Sequence, residues 1–92
     1  MPAKTVKTYK HAAHLAWRKV DGEAVILDVD TAVYYSLGGV GLRIWEMVGK
    51  KAPAAKIVKT LSDEYDADPK RIARDVEAIL KKLKKEAMIE PA

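Results

Sequence analysis

The hydrophobic period of this chain changes once, within residues 33–48, and that change fixes the order of its elements. The stretch reads VYYSLGGVGLRIWEMV. Before it, apolar residues come in short runs of the kind strands use. After it, they recur every three or four residues, as helices require. Tyr34 and Tyr35 sit near the end of a strand-like run, and Gly38, Gly39 and Gly41 let the backbone turn sharply. Ile44, Trp45 and Val48 then begin a helical stripe.

Three strands are expected ahead of this corner. Residues 14–20 (HLAWRKV) alternate, with Leu15 and Trp17 on one face and Ala16 and Arg18 on the other. Asp21-Gly22 follows, a strong hairpin signal between two strand-like runs. Residues 24–29 (AVILDV) are almost continuously apolar and read as the middle strand. Asp30-Thr31 forms the next turn. Residues 33–37 make the last strand, with Val33, Tyr35 and Leu37 on one face and Tyr34 and Ser36 on the other. In a three-stranded meander this strand is an edge, with unpaired N–H and C=O groups.

Three helices are expected after the corner. The first spans about residues 39–48, with Gly49 as its stop. Pro53 suits the first turn of the second, whose stripe is Ile57, Val58, Leu61 and Tyr65. Asp68-Pro69 caps the third, which runs to about residue 86. Its inward stripe is Ile72, Val76, Ile79, Leu80 and Leu83, and residues 87–89 pack back on the core. The fold class is therefore α+β, a three-stranded antiparallel sheet followed by three helices, which resembles a winged helix-turn-helix with its strands placed first.

Ninety-two residues suffice for one small domain. Residues 1–12, with Lys4, Lys7 and Lys10, are read as a mobile basic arm, and residues 13–92 as a single domain. There is no Cys, which excludes disulfides and thiolate chemistry and fits a reducing cytoplasm. No apolar run approaches the roughly 20 residues that cross a bilayer, and the first residues lack the apolar core of a secretory signal. A net charge of +4 and a pI near 9.3 suit acidic partners, whether nucleic acid, an anionic membrane or an acidic peptide.

Catalytic chemistry finds no constellation. His11 and His14 are the only histidines and have no carboxylate cluster near them in sequence, so no metal is expected. The glycines at 38–41 are not followed by Lys-Ser or Lys-Thr, so a turn explains them better than a phosphate loop. Ser36 has no nucleophile motif. Asp63, Glu64, Asp75 and Glu77 read as solvated faces, with Arg71–Asp75 a helical i, i+4 pair. No enzyme activity and no cofactor are expected. Trp45 belongs in the core, whereas Tyr34 is an exposed aromatic suited to binding.

An ordered set of short pieces carries a family resemblance. Residues 24–29, Asp30-Thr31, Tyr34-Tyr35-Ser36-Leu37, Gly41, Ile44-Trp45 and Glu46, then Ile72, Asp75-Val76, Ile79-Leu80, Leu83 and Met88-Ile89, resemble the PqqD-like family of pyrroloquinoline quinone biosynthesis protein D. The chain departs from it at Leu37-Gly38, where the family commonly has Leu-Asn. The resemblance implies a non-enzymatic recognition element that binds the leader of a ribosomally made precursor peptide and presents it to a modifying enzyme. That enzyme would be a radical S-adenosylmethionine enzyme, a leader peptidase or a cyclase. It further implies that the leader adds as a strand to the last strand's edge and packs against the third helix. The residues so assigned are Ala32, Val33, Tyr34, Tyr35 and Ser36 on the strand side, and Arg71, Arg74, Asp75, Ala78, Ile79 and Lys82 on the helix. Arg74 and Lys82 would attract acidic leader residues, and Ala78 and Ile79 would form an apolar floor. The alternative is a winged-helix DNA-binding protein, with the third helix in the major groove. Against it, that helix has no Asn or Gln to read base edges. A structural or chaperone subunit without peptide specificity is a third reading.

Overall fold

The computed structural model describes residues 8–92. In chain order the elements are β1 (Tyr9–His11), β2 (Leu15–Val20), β3 (Glu23–Asp28), β4 (Val33–Gly38), α1 (Gly39–Gly49), α2 (Ala54–Tyr65), α3 (Pro69–Lys85) and β5 (Ile89–Pro91). The strands β2-β3-β4 form an antiparallel meander in that order, followed by three helices, as the periodicity predicts.

Local chemistry sets the two turns. Val20 pairs with Glu23 across Asp21 and Gly22, and both of these have positive φ (50° and 79°), the conformation that matches strand twist. Between β3 and β4 the Asp28 carboxylate accepts the backbone N–H groups of Asp30 (2.9 Å) and Thr31 (3.1 Å). The Ala32 N–H donates to the Asp28 carbonyl at 2.7 Å, with Ala32 at φ 61°. The turn is thus longer than Asp30-Thr31 alone.

The near-continuous apolar run of β3 resolves into a two-residue period. Ala24 and Ile26 are fully buried against the helices, while Val25 and Leu27 are half-buried on the other sheet face. Helices cover one face of the sheet only, so only alternate residues reach the core. At the corner Gly38 is extended and Gly39 takes φ 55°, which turns the chain from strand to helix. The core that follows includes Ile44, Trp45, Val48, Ile57, Leu61 and Val76, all essentially without exposure.

Helix ends follow their sequence signals in one case and depart in two. Asp68 caps α3, its carboxylate accepting the Lys70 N–H at 3.0 Å, with Pro69 as the first helical residue. Pro53 is the residue before α2 rather than part of its first turn, because its extended backbone (ψ 153°) precedes the helix. Gly49 does not terminate α1 by adopting a left-handed conformation. It is still helical, and the left-handed residue is Lys51 (φ 58°). Glycine is suited to position 49 for a different reason: a Cβ there would lie 2.8 Å from His11 Cε1.

That contact belongs to the largest departure from the sequence reading. Residues 9–12 are not part of a mobile arm. β1 pairs antiparallel with β5 (Tyr9↔Pro91, Lys10↔Glu90, His11↔Ile89), and the Ala12 N–H donates to the Met88 carbonyl at 3.0 Å. Lys4 and Lys7 lie outside the described residues. The His11 ring stacks on the Trp45 indole at a centroid distance of 3.7 Å and an interplanar angle of 8°. Its Nε2–H donates to the Trp45 carbonyl at 2.8 Å, which fixes the tautomer. The Trp17 indole meets both rings edge-on, at 5.7 and 6.0 Å. His14 stands apart, with Nε2 3.6 Å from Asp28 Oδ2. Among the described residues no three His, Asp or Glu side chains lie close enough to share a metal ion.

Two outcomes are expected from this packing. Trp45→Ala removes a fully buried indole and should cost about 3–5 kcal/mol in urea denaturation. Burial holds the His11 imidazole below its ordinary value of 6.5, the hydrogen bond to Trp45 offsetting part of the effect. The unfolded chain therefore takes up this proton first, so the stabilising contribution is complete above about pH 6.5 and is lost as pH falls below it. The denaturation midpoint should drop as pH falls below about 6.5, and the drop should shrink in His11→Gln.

Candidate functional site

Helix α3 packs on α2 and on β5 rather than on β4. The gap left between α3 and β4 is a cleft of about 530 Å³. Strand alternation supplies one wall: Tyr35 and Leu37 are half-buried and face inward, while Tyr34 is 68% exposed on the opposite face of the sheet. Helical spacing supplies the other wall, where Ile79, Lys82, Leu83 and Glu86 recur at three- and four-residue intervals. Met88, Gly38 and Gly41 complete the lining. A Cβ at Gly41 would make ordinary contacts with Leu37 at 3.7 Å, so the cleft is empty there because the side chain is absent, not because the backbone demands glycine.

The main chain of β4 borders this cleft. β4 pairs with β3 on one side, and among the described residues no strand lies on its other side. The other edge of the sheet, β2, carries Arg18 and Lys19, which discourage pairing with further strands. β4 (VYYSLG) has no charged residue. The chain thus blunts one edge and leaves the other receptive. The Ser36 hydroxyl donates to the Glu23 carboxylate, so that side chain is held by β3 while the backbone edge stays open.

The structure brings some of the sequence-assigned residues together and separates others. Tyr35, Ser36, Ile79 and Lys82 line the cleft. Val33 and Tyr34 lie on the same strand edge but do not line it, and Ala32 belongs to the preceding turn. Tyr34 instead joins Ala16, Arg18, Val25 and Leu27 in a shallow concavity on the outer sheet face. Arg71, Arg74, Asp75 and Ala78 are exposed on α3 outside the cleft. Asp75 and Ala78 lie on the same side of the helix as Lys82 and Glu86, but they precede the stretch from Ile79 to Glu86 that borders the cleft. The Arg71–Asp75 ion pair is not among those formed by the described residues, where Arg43 instead forks onto Glu64 (2.6 Å) and Glu46 (3.3 Å). Leu37, Gly38, Gly41, Leu83, Glu86 and Met88 line the cleft without having been assigned to it from sequence. The strand alternation through Leu37 and the 79-82-83-86 helical stripe would have identified three of these six residues, Leu37, Leu83 and Glu86.

A family model described as Coenzyme PQQ synthesis protein D (PqqD) matches residues 23–89, well over half of the chain. No curated protein matches. Two solved structures are similar over nearly the whole chain. One is described as TbiB1 in complex with the TbiA(beta) leader peptide, at 28% identity, a TM-score of 0.82, and coverage of 88% of this chain and 94% of that one. The other is a lasso peptide synthetase B1 complexed with the leader peptide, at 22% identity and a TM-score of 0.83, covering 90% and 98%. The latter likeness is one of fold.

The geometry makes Gly41→Leu informative. It replaces a helical glycine beside open space, so folding stability should hold or rise by up to about 1 kcal/mol in urea denaturation, while the side chain occupies the cleft.

Proposed function

Because the chain belongs to the PqqD family, we propose that it is a non-catalytic peptide-binding module that captures the leader of a ribosomally made precursor peptide and presents it to a modifying enzyme. One observation carries this reading: an uncharged, uncovered strand edge at β4 runs beside an apolar cleft. A leader segment adds to β4 as a further antiparallel or parallel strand, each main-chain hydrogen bond contributing about 0.5–1.5 kcal/mol net. Alternate leader side chains enter the cleft against Leu37, Ile79 and Leu83, while Lys82 and Glu86 at the mouth select charge. Main-chain bonding supplies affinity for any extended peptide, and the cleft supplies sequence preference. That both similar structures are described as leader-peptide complexes supports the same ligand class.

The partner enzyme would be one that acts on such precursors, such as a radical S-adenosylmethionine enzyme, a leader peptidase or a cyclase. A cytoplasmic setting is supported by the absence of cysteine. Among the described residues no helix is long and apolar enough to cross a membrane. The DNA-binding alternative gains no support from the site. The exposed surface of α3 has Asp75 and Glu77 among its cations and no base-reading amide.

The direct test is titration of isotope-labelled protein with the leader half of a precursor peptide encoded beside it, followed by NMR. Shifts should concentrate at β4 and at residues 79–88. Val33 and Ser36 have opposite parity on the strand, so the N–H of one faces β3 and that of the other faces out. Proline at the outward position should weaken leader binding about tenfold or more with the fold intact by circular dichroism. Unchanged affinity in both proline variants would exclude strand addition. Gly41→Leu should abolish binding in a protein at least as stable as the parent.

A further inference from the structure

A second cleft, of about 570 Å³, lies on the other flank of α3, between it and α2. Ala54, Ala55, Val58 and Ala73 form its solvent-reached apolar lining over the buried Val76 and Leu80, and Tyr9 of β1 lines it too. Helical rotation divides α3 between the two clefts. Ala73, Glu77, Lys81 and Lys84 turn toward α2, while Ile79, Lys82 and Glu86 turn toward β4.

Charge on this ridge is unbalanced. α3 carries Lys70, Arg71, Arg74, Lys81, Lys82, Lys84 and Lys85 against Asp75 and Glu77, and of these Lys81, Lys84 and Glu77 line the cleft beside α2. Every ion pair formed among the described residues lies on other elements, so none of these cations forms one there. Lys84 does have a local role, its Nζ lying 5.5 Å from the centroid of the Tyr9 ring. The helix dipole accounts for lysines in the last turn. It does not account for an open apolar cleft beside them.

We infer that the α2–α3 cleft is a docking site for an acidic amphipathic helix of a second protein. The aliphatic face of that helix covers Ala54, Ala55, Val58 and Ala73, and its flanking carboxylates meet Lys81 and Lys84. The charge selects the occupant. A wholly aliphatic partner would partly desolvate the rim cations without compensation, and a basic one would be repelled. The cleft is separate from the one assigned to the leader, so α3 holds the leader on one flank and the partner on the other, and both bind together.

The test uses the full chain, isotope-labelled, and two synthetic amphipathic helices with Leu at i, i+3, i+4 and i+7. One carries Glu at the remaining positions and the other Lys. The acidic peptide should bind saturably, with shifts at Ala55, Ala73, Glu77 and Lys81, and without displacing a leader peptide bound at β4. The double variant Lys81→Glu/Lys84→Glu should weaken it about tenfold, and Ala55→Arg should weaken it by obstructing the cleft, both with leader affinity unchanged. The inference is overturned if neither peptide binds, if both bind equally, or if the shifts fall on β4 and Ile79. It is also overturned if duplex DNA binds more tightly than the acidic peptide and ignores Ala55→Arg, which would make the ridge a general polyanion surface. Leader binding is read separately in each case, so loss of one site is not mistaken for loss of the other.

Discussion

The fold depends on one buried aromatic plane. The Trp45 indole has no exposure and is stacked by His11 from β1 and met edge-on by Trp17 from β2. A single side chain of α1 therefore ties together the meander, the first helix and the strand pair formed by the two chain ends. Flat rings stacked at 3.7 Å tolerate little displacement, so α1 is fixed in both position and rotation. The glycine at position 49 is part of the same arrangement, since any Cβ would press on the His11 ring. With α1 fixed, the Gly38-Gly39 corner directs β4 so that its outer edge stays open.

The cleft follows from how the remaining helices find their partners. α2 and α3 pack on each other through Ile57, Leu61, Ile72 and Val76, and the chain then returns through β5 to pair with β1. That return holds the end of α3 near Met88 and Ile89, away from β4. The gap has apolar walls because the strand and the helix each present one residue in two or in three to four toward it. An uncharged edge beside an apolar gap is an aggregation hazard in an isolated domain, and the contrast with the Arg18-Lys19 edge of β2 shows that the hazard is confined to one side. The leader strand proposed above would cover this edge.

The helix between the two clefts has an unusual composition for its place. Its inward stripe is apolar, and its outward surface is dominated by cations that form no ion pair among the described residues. Net charge of this kind steers acidic partners at long range and is weakened by salt, whereas the apolar floors on either side discriminate only at contact.

The sequence by itself determined whatever depends on neighbouring residues. Asp21-Gly22 specified a tight turn because its positive φ values are a local preference. Asp68-Pro69 specified the start of α3 because a carboxylate and a proline satisfy that terminus unaided. The switch of hydrophobic period at the glycines gave the order of strands and helices, and with it the edge position of β4. Only the tertiary structure decided the fate of Tyr9, Lys10 and His11. A three-residue polar strand has no periodicity to read, and it forms only where β5, at the far end of the chain, is already held alongside it. The same limit applied to the cleft. Its membership depended on which stretch of α3 lies beside β4, so Leu83, Glu86 and Met88 line it while Arg74 and Ala78 are exposed outside it.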